Sequence, residues 1–231
     1  MIDSETAEML LRYGWLSRTP PAFSALVLDR CVPVKRAAGE PLFYVGDEVG
    51  GLYGVVSGVM QIASRYASDD VQIVHLGHTG YWVGLGSAFT GTARQVGIAA
   101  RSDFVVAYVS PAAINTIAAA GVDYWRHLAA LTVENVNLAI CAAADLMIRD
   151  VERRCLAVLL RVSDCRFAVP IGNPAQFAPI TQDELAAMAN LSRNAAGAVL
   201  RKYAGSGAIE LGYRTIKVLK PQALRAIVNG G

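Results

Sequence analysis

The 231-residue sequence predicts an α+β protein with a β-roll in its N-terminal half, a long central helix and a C-terminal helix-turn-helix followed by a β-hairpin. Three observations predict it. Short β-branched and aromatic runs punctuated by glycine fill Val32 to Val109, no Pro or Gly occurs between Gly121 and Pro170, and a helix-capping sequence begins at Thr181. We expect three parts: residues 1–120, 121–149 and 150–231.

Two short helices are expected before the β domain. Glu5 to Tyr13 has a helical pattern, Thr19-Pro20-Pro21 breaks it, and a second apolar helix follows near Phe23 to Leu28. The strand-like runs are separated by turn residues, as in an antiparallel roll or sandwich. These runs are Leu52 to Val56, Val59 to Ala63, Val71 to Leu76 and Phe104 to Val109.

The chain after Pro111 is predicted to be helical. The stretch without Pro or Gly exceeds an ordinary globular helix, so we expect a break near Arg149-Asp150. One stripe has the 3-4 spacing of a two-stranded coiled coil and predicts a parallel homodimer. Its members are Leu128, Leu131, Asn135, Leu138, Ala142 and Asp145.

A neighbouring stripe of the same helix is nearly as apolar, which leaves an alternative open. In this alternative, the helix packs on its own β domain instead of pairing with a partner. The second stripe consists of Ala129, Thr132, Val136, Ala139, Ala143 and Leu146.

A helix-turn-helix is predicted from Thr181 onward. Thr181 and Glu184 have the spacing of a capping box, in which each side chain bonds the other residue's backbone amide. Asn190 suits the left-handed conformation that ends a helix, Leu191 is expected to fill the core, and Ser192 is expected to cap a second helix over Arg193 to Tyr203. Val199 and Leu200 should face inward.

The second helix has the composition of a DNA-reading element. Ser192, Arg193 and Asn194 stand at its N-terminal end, where recognition helices enter the major groove. Arginine reads guanine O6 and N7 in a bidentate manner, and asparagine pairs with adenine N6 and N7. The residues predicted to hold backbone phosphates are Thr181, Gln182, Arg201 and Lys202.

A β-hairpin is expected to follow as a wing. Ile209-Glu210-Leu211 and Arg214 to Val218 flank a Gly212-Tyr213 turn. Residues 177–231 hold 7 lysines and arginines against 3 acidic residues, whereas residues 1–176 hold 14 against 16. A basic C-terminal quarter fits contact with double-stranded DNA, although an ordinary solvated surface would show the same charge.

Composition argues against several other classes of protein. The uninterrupted apolar runs, such as Leu138 to Ala144, are far shorter than the ~20 residues that cross a bilayer, so we expect neither a membrane span nor a secretion signal. The scattered cysteines suit reduced thiols in the cytoplasm. We expect no cofactor, no metal ion and no catalytic residues, because no set of three ligands, catalytic triad or glycine-rich phosphate loop is present.

The stretches from about Val32 to Leu219 resemble the CRP/FNR family of transcription regulators in composition and order. The stretches that support this resemblance are Gly39-Glu40 with Val45-Gly46-Asp47, Val56-Ser57-Gly58, Gly80 to Gly84, Asp150 to Arg154, and Ile180 to Arg201. The resemblance implies a cyclic-nucleotide-binding-like jelly roll, a dimerisation helix and a winged helix-turn-helix, with RNA polymerase as a further partner. Ser192 and Arg193 match the family's recognition-helix pair, whereas Asn194 and Ala198 replace a Glu and an Arg of many members.

The ligand cassette departs from the members that bind cyclic nucleotides. Those members follow a glycine, here Gly84, with a Glu for the ribose hydroxyl and later an Arg-Ser pair for the cyclic phosphate. Leu85 stands at the Glu position, and Gln95-Val96 stands at the Arg-Ser positions in an ungapped comparison. A loop one residue shorter brings Arg94 into the Arg position, but Gln95 still replaces the Ser. We therefore expect no binding of cyclic AMP, and the effector stays unidentified.

Two other functions remain as alternatives. The first is a dimeric ligand-sensing or interaction module without specific DNA readout, against which the capping box and Arg193 argue. The second is a small cupin-like metalloenzyme, for which His75 and His78 are candidate ligands. Three residues apart on a strand and turn, these two histidines are expected to point to different sides.

Overall fold

The computed structural model describes residues 2–64, 72–167 and 176–230. The chain divides into two compact units: residues 1–72 with 77–137, and residues 73–76 with 138–231. The long helix that joins the units belongs to both.

The first unit begins with two short helices, as predicted. Helix α1 (Ser4–Arg12) starts where the Asp3 carboxylate accepts a hydrogen bond from the Thr6 amide at 2.8 Å. A 3-10 turn follows, and α2 (Pro21–Asp29) has proline at its first position, where the missing N–H costs nothing.

Eight strands and one short helix form the β-roll. One sheet has the order β1-β8-β3-β6 and the other has the order β2-β7-β4-β5. The strand pairs β1–β8, β3–β8, β3–β6, β2–β7 and β4–β7 are antiparallel. The elements are β1 (Val32–Arg36), β2 (Pro41–Phe43), β3 (Leu52–Ser57), β4 (Met60–Ser64), β5 (Gln72–Gly77), β6 (Trp82–Val83), α3 (Leu85–Thr90), β7 (Gly97–Ala100) and β8 (Phe104–Val109). Val71, the predicted start of β5, lies outside the described residues.

Two apolar clusters fill the first unit. One contains Trp82, whose ring meets that of Trp15 edge-on at 5.5 Å, together with residues of α1, α2 and α5 (Tyr124–Met147). The other lies between the two sheets. Its buried members are Phe43, Val55, Met60, Ile62, Ile98, Ala100, Phe104 and Val106. These side chains form the apolar core between the two sheets.

Helix α4 (Pro111–Ala119) begins at the predicted proline, with Ser110 as its cap. Helix α5 then runs for 24 residues and ends just before the predicted break. The expected seam of α5 needs correction. Leu128 and Leu131 are buried in the core of the first unit, Asn135 donates to the Trp82 carbonyl at 3.1 Å, and Asp145 is 1% exposed.

The neighbouring stripe of α5 is the exposed one. Val136 is 51% exposed and Ile140, which flanks the stripe, is 61% exposed. Ala139, Ala143 and Leu146 are exposed as well. The heptad spacing alone is compatible with either stripe facing the β-roll. Leu128 and Leu131 pack in the core of the first unit, so the first stripe faces inward and the second faces outward. An unpaired apolar stripe of this length is an expected site of association.

Among the described residues, one helix, α5, is long and apolar enough to cross a membrane by length and composition. Sequence reasoning missed it because it counted only uninterrupted apolar runs. A lipid-facing helix is apolar on all sides. In α5, Arg126 pairs with Asp123 at 3.1 Å and Glu134 pairs with Arg18 at 2.6 Å, so one flank is polar.

The second unit is a helical domain with a small sheet. Its sheet has the order β10-β11-β9, and its helices enclose a core that includes Leu156, Leu160, Leu185 and Leu200. Its elements are α6 (Val151–Val162), β9 (Phe177–Ala178), α7 (Gln182–Met188), α8 (Arg193–Gly205), β10 (Ile209–Gly212), β11 (Thr215–Val218) and α9 (Pro221–Asn229). The predicted fold class is confirmed; the sequence analysis had not identified α3, β9 and α9.

Side chains in the first turn of α6 form hydrogen bonds with other parts of the second unit. Asp150 caps the helix by accepting from the Arg153 amide at 2.7 Å. Arg153 donates twice to the Val228 carbonyl of α9. Arg154 donates to the Ile148 carbonyl before α6 and to the Ala189 carbonyl of the helix-turn-helix. The segment before α6, the end of α7 and helix α9 are thereby tied to one turn of α6.

A buried ionic cluster lies at the C-terminal end of α6, around Arg161. The two oxygens of Asp145 accept from Arg161 Nε at 3.2 Å and Arg166 Nε at 3.1 Å. Arg161 is almost fully buried and also donates to the Val74 carbonyl at 3.0 Å. Asp145, expected at a dimer seam, is instead the counter-ion of two arginines of its own unit.

Candidate nucleic-acid interface

The helix-turn-helix begins at the capping box that the sequence predicts. The Glu184 amide donates to Thr181 Oγ1 at 3.1 Å, and the Thr181 amide donates to Glu184 Oε2 at 2.7 Å. Both bonds satisfy amides that a helix leaves free, so the start of α7 is fixed by local chemistry.

The turn between α7 and α8 has the predicted left-handed backbone conformation at Asn190. Asn190 has φ 50°, and the following Leu191 amide donates back to the Ala186 carbonyl at 2.9 Å. Ser192 caps α8 by accepting from the Ala195 amide at 3.2 Å. Leu191 is only half-buried, so the expectation that it fills the core is wrong; the fully buried residue of the turn is Ala189.

One face of α8 is exposed along its whole length. Val199 and Leu200 are buried, as predicted, and turn the opposite face outward. Gln182 Oε1 and Arg201 Nη1 both lie over Gly197, within 3.4 Å of where a Cβ would stand. The exposed residues are Ser192, Arg193, Asn194, Ala198, Arg201 and Lys202. The structure thus brings six of the seven predicted DNA-contacting residues to one surface, with Thr181 half-buried at the cap.

Two cations of this surface pair with carboxylates of neighbouring helices. Arg193 Nε lies 3.0 Å from Asp183 Oδ1. Lys202 Nζ lies 2.8 Å from both oxygens of Glu152, which also accepts from the Tyr203 hydroxyl. The bonds from Lys202 and Tyr203 lower the pKa of Glu152, and burial together with Glu152 raises the pKa of Tyr203 to about 12. Glu152 therefore stays ionised beside Lys202.

The wing is a hairpin with a two-residue tip. Gly212 pairs with Thr215, so the tip is Tyr213-Arg214 instead of the predicted Gly212-Tyr213. Tyr213 is almost fully exposed, and Arg214 adopts φ 52°. An aromatic ring and a guanidinium therefore project from the hairpin.

Among the candidate ligand-pocket residues of the β-roll, Arg94 is the charged one and is 4% exposed. Its Nη1 donates to the Gly84 carbonyl at 3.0 Å and its Nη2 donates to the Gly51 carbonyl at 2.8 Å. The guanidinium carbon lies 4.1 Å from the centre of the Phe43 ring. Burial lowers the pKa of Arg94, while Tyr53 and Tyr108 oppose that shift.

The residues at the Glu and Arg-Ser positions of the cassette place no charged group in this interior. Leu85 is buried in the apolar core, and Gln95 is exposed, with its amide donating to the Ala93 carbonyl at 3.0 Å. Val96 packs against the inter-sheet cluster. Gly84 adopts φ 116°, and a Cβ there would lie 2.4 Å from the Gly51 oxygen. Among the described residues, no group of three His, Cys, Asp or Glu side chains could hold a metal ion.

Two family models match this chain in the order of its two units. The model "Cyclic nucleotide-binding domain" matches residues 33–120, and the model "Crp-like helix-turn-helix domain" matches residues 153–227. Together they cover more than half of the chain. The chain belongs to the CRP/FNR family of transcription regulators. As a CRP/FNR regulator it has a helix-turn-helix DNA-binding domain, and the family comprises transcription regulators, not enzymes.

Solved structures share this fold at low identity. FixK2 from Bradyrhizobium japonicum is 20% identical, with a TM-score of 0.68 over 84% of this chain and 95% of that one. The c-di-GMP responsive regulator CLP from Xanthomonas campestris is 23% identical, with a TM-score of 0.62 over 86% and 99%. The catabolite activator protein from Thermus thermophilus is 23% identical, with a TM-score of 0.51 over 94% and 98%. A comparison with curated protein sequences gives no match.

Sequence reasoning missed the carboxylates of this CRP/FNR interface. Asp183 lies between Thr181 and Glu184 of the capping box, and the spacing of α7 and α8 could have indicated its nearness to Arg193. Glu152 lies 50 residues before Lys202, so no local pattern could have connected them.

Proposed function

We propose that this protein is a homodimeric, sequence-specific DNA-binding regulator whose β-roll does not respond to cyclic AMP. The division into a β-roll domain (1–120), a dimerisation helix (121–149) and a DNA-binding domain (150–231) is part of the proposal. The observation that carries it is the exposed face of α8, capped at Ser192, with Arg193 and Asn194 at its N-terminal end.

Base reading is assigned to the N-terminal end of α8. Arg193 and Asn194 are exposed and stand beside the cap, where a recognition helix meets base edges. Gln182 and Arg201, which lie together over Gly197, are placed to hold phosphates, as is Lys202. The exposed Tyr213-Arg214 tip adds a contact from the wing.

Dimerisation is assigned to the exposed stripe of α5. Val136 and Ile140 would bury apolar surface against a second copy, and the alanines at 139 and 143 let two helices approach closely.

The absence of a cyclic AMP response is supported by what occupies the roll. No carboxylate stands at Leu85, and the two terminal amino groups of Arg94 are already bonded to backbone carbonyls. A cyclic phosphate would have to compete with both carbonyls for the guanidinium, and displacing either bond would leave a carbonyl without its donor. We further propose a cytoplasmic location and no catalytic activity; RNA polymerase and an unidentified effector stay possible partners.

Selection of bound sites from random duplex DNA with the purified full chain tests the main proposal. We expect enrichment of one sequence, palindromic if the protein is a dimer. Arg193→Ala should cost about 1–3 kcal/mol of binding free energy per half-site and relax discrimination at one base position. If the protein bound all duplex sequences equally well, the result would instead favour an interaction module without specific DNA readout.

The dimer is tested by sedimentation. The wild type should sediment as a dimer at micromolar concentration, and Ile140→Glu should convert it to a monomer by placing a charge in the apolar stripe. Ala130→Glu adds the same charge on the polar flank of α5 and should leave the dimer intact. A wild-type monomer would contradict this part of the proposal.

Calorimetric titration with cyclic AMP tests the β-roll. We expect no binding heat beyond dilution. A dissociation constant in the micromolar range would show that Arg94 can release its two carbonyls for a phosphate, and would overturn this part of the proposal.

A further inference from the structure

The Arg193–Asp183 pair has a geometry that bears on base recognition. Arg193 is the first residue of α8 and Asp183 the second residue of α7, and their side chains are 76% and 58% exposed. The guanidinium nitrogen nearest the carboxylate is Nε, which forms an ion pair with Asp183 Oδ1 at 3.0 Å. Within the described part of the chain, no hydrogen bond is recorded for the terminal groups Nη1 and Nη2 of Arg193.

This choice of nitrogen leaves one edge of the guanidinium available. A guanine offers O6 and N7 as two neighbouring acceptors, and the end-on pair Nη1 and Nη2 can bond both at once. A carboxylate at Nε does not block that edge. It also restricts a long side chain that would otherwise have to be ordered when DNA binds, which lowers the cost of association.

We propose that Asp183 is a positioning residue that holds Arg193 ready for end-on recognition of a guanine. This inference rests on the proposed reading role of Arg193. It assigns a specificity-determining function to a carboxylate that itself contacts no base.

The charge of Asp183 has a second consequence. A carboxylate at a phosphate-facing surface repels any duplex, whatever its sequence. Its favourable effect through Arg193 arises only where a guanine is present. Asp183 therefore weakens binding to non-specific DNA while supporting binding to the correct site, so it widens the ratio between the two.

The test compares three duplexes by fluorescence anisotropy with the full chain. They are the site selected from random DNA, the same site with the Arg193-dependent guanine changed to adenine in both half-sites, and an unrelated duplex. The variants are D183A, D183N, R193A and D183A/R193A. The control is Asp29→Asn, which removes an exposed carboxylate paired with Arg30 on α2.

We expect D183A to reduce guanine-over-adenine discrimination about three- to tenfold and to tighten binding to the unrelated duplex. D183N keeps an oxygen acceptor, so it should retain most of the discrimination while also binding the unrelated duplex more tightly. In the R193A background, D183A should leave discrimination unchanged, and D29N should change nothing. Circular dichroism of each variant checks that α7 remains folded.

Three results would overturn the inference. Equal tightening of all three duplexes by D183A would reduce Asp183 to a repelling charge. Greater discrimination in D183A would show that Asp183 restrains Arg193 away from the base. Unchanged discrimination in R193A would refute the reading role itself and the inference with it, whereas a loss in R193A without one in D183A refutes the inference alone.

Discussion

Arg94 in the β-roll and Arg193 on the recognition helix are the same residue type in opposite situations. Arg94 is buried, both of its terminal amino groups bond backbone carbonyls, and an aromatic ring covers its face. Arg193 is exposed and bonded through Nε to one exposed carboxylate. The guanidinium of Arg94 stabilises the fold, whereas that of Arg193 keeps its terminal amino groups accessible to a ligand.

The difference between the two arginines follows from the burial of one and the exposure of the other. A buried cation needs every donor satisfied, because the desolvation it suffers is not offset otherwise. Two of the five N–H donors of Arg94 are bonded to backbone carbonyls, so a phosphate would have to compete with the fold for this guanidinium. An exposed pair contributes little to stability and opens at little cost, so it suits a surface that binds and releases DNA.

The largest effect is expected at Asp145, where burial and ionic partners are combined. Asp145→Ala leaves the buried Arg161 without its counter-ion, and the free energy of unfolding should fall by about 3–5 kcal/mol. Glu134→Ala removes the carboxylate of the exposed pair with Arg18 and should cost less than about 1 kcal/mol. Urea unfolding followed by far-UV circular dichroism measures both. Similar losses in the two variants would break the distinction between buried and exposed pairs.

Arg94→Gln tests whether the guanidinium of Arg94 stabilises the β-roll. A glutamine cannot replace both bonds to Gly84 and Gly51, so the β-roll should lose about 1.5–3 kcal/mol of stability. The control Arg18→Gln changes an exposed arginine of the same unit and should have a much smaller effect. Tryptophan fluorescence during urea unfolding reports on the roll through Trp15 and Trp82. An unchanged stability would indicate that Arg94 is retained for a ligand and not for the fold.

Asn190 tests the backbone on which the recognition surface depends. Its φ of 50° disfavours any residue with a branched side chain, so Asn190→Val should destabilise the second unit by about 1–2 kcal/mol. Asn190→Gly should be close to neutral, because glycine accepts this conformation. Thermal unfolding of the two variants measures the difference. Equal melting temperatures would mean that the turn can change its conformation at no cost.

The sequence predicts this turn well because its causes are local. Thr181, Glu184, Asn190 and Ser192 each act on backbone groups within a few residues, so spacing is sufficient to identify their roles. Proline 111 and the strand from Phe104 to Val109 are predicted for the same reason.

What depends on distant parts of the chain escapes prediction. The heptad spacing of α5 cannot tell which stripe the β-roll covers, so Leu128 and Leu131 were assigned to a dimer seam that the core already occupies. Asp145 meets arginines 16 and 21 residues later, and Glu152 meets Lys202 50 residues later. Arg94 could be placed in the pocket only by allowing a shorter loop, and its two carbonyl partners are invisible in the sequence.

The smallest effect is expected at Lys202, the second exposed cation of the recognition surface. A free lysine that holds a phosphate contributes about one unit to the dependence of log K on log salt concentration. Lys202 is paired with both oxygens of Glu152 before DNA arrives, so part of its charge is already neutralised. We therefore expect Lys202→Ala to weaken binding to all duplexes alike and to lower the salt slope by less than one unit.

Glu152→Gln separates the two partners of that pair. It removes the competing charge and leaves Lys202 to the phosphate, so binding to every duplex should tighten and the salt slope should steepen. In the double variant K202A/E152Q the slope should return to the K202A value, because Glu152 acts on DNA through Lys202. Anisotropy titrations over a range of salt concentrations measure these slopes. If Lys202→Ala instead changed the preference for one base, Lys202 would read sequence and the division between reading at Arg193 and holding at Lys202 would be wrong.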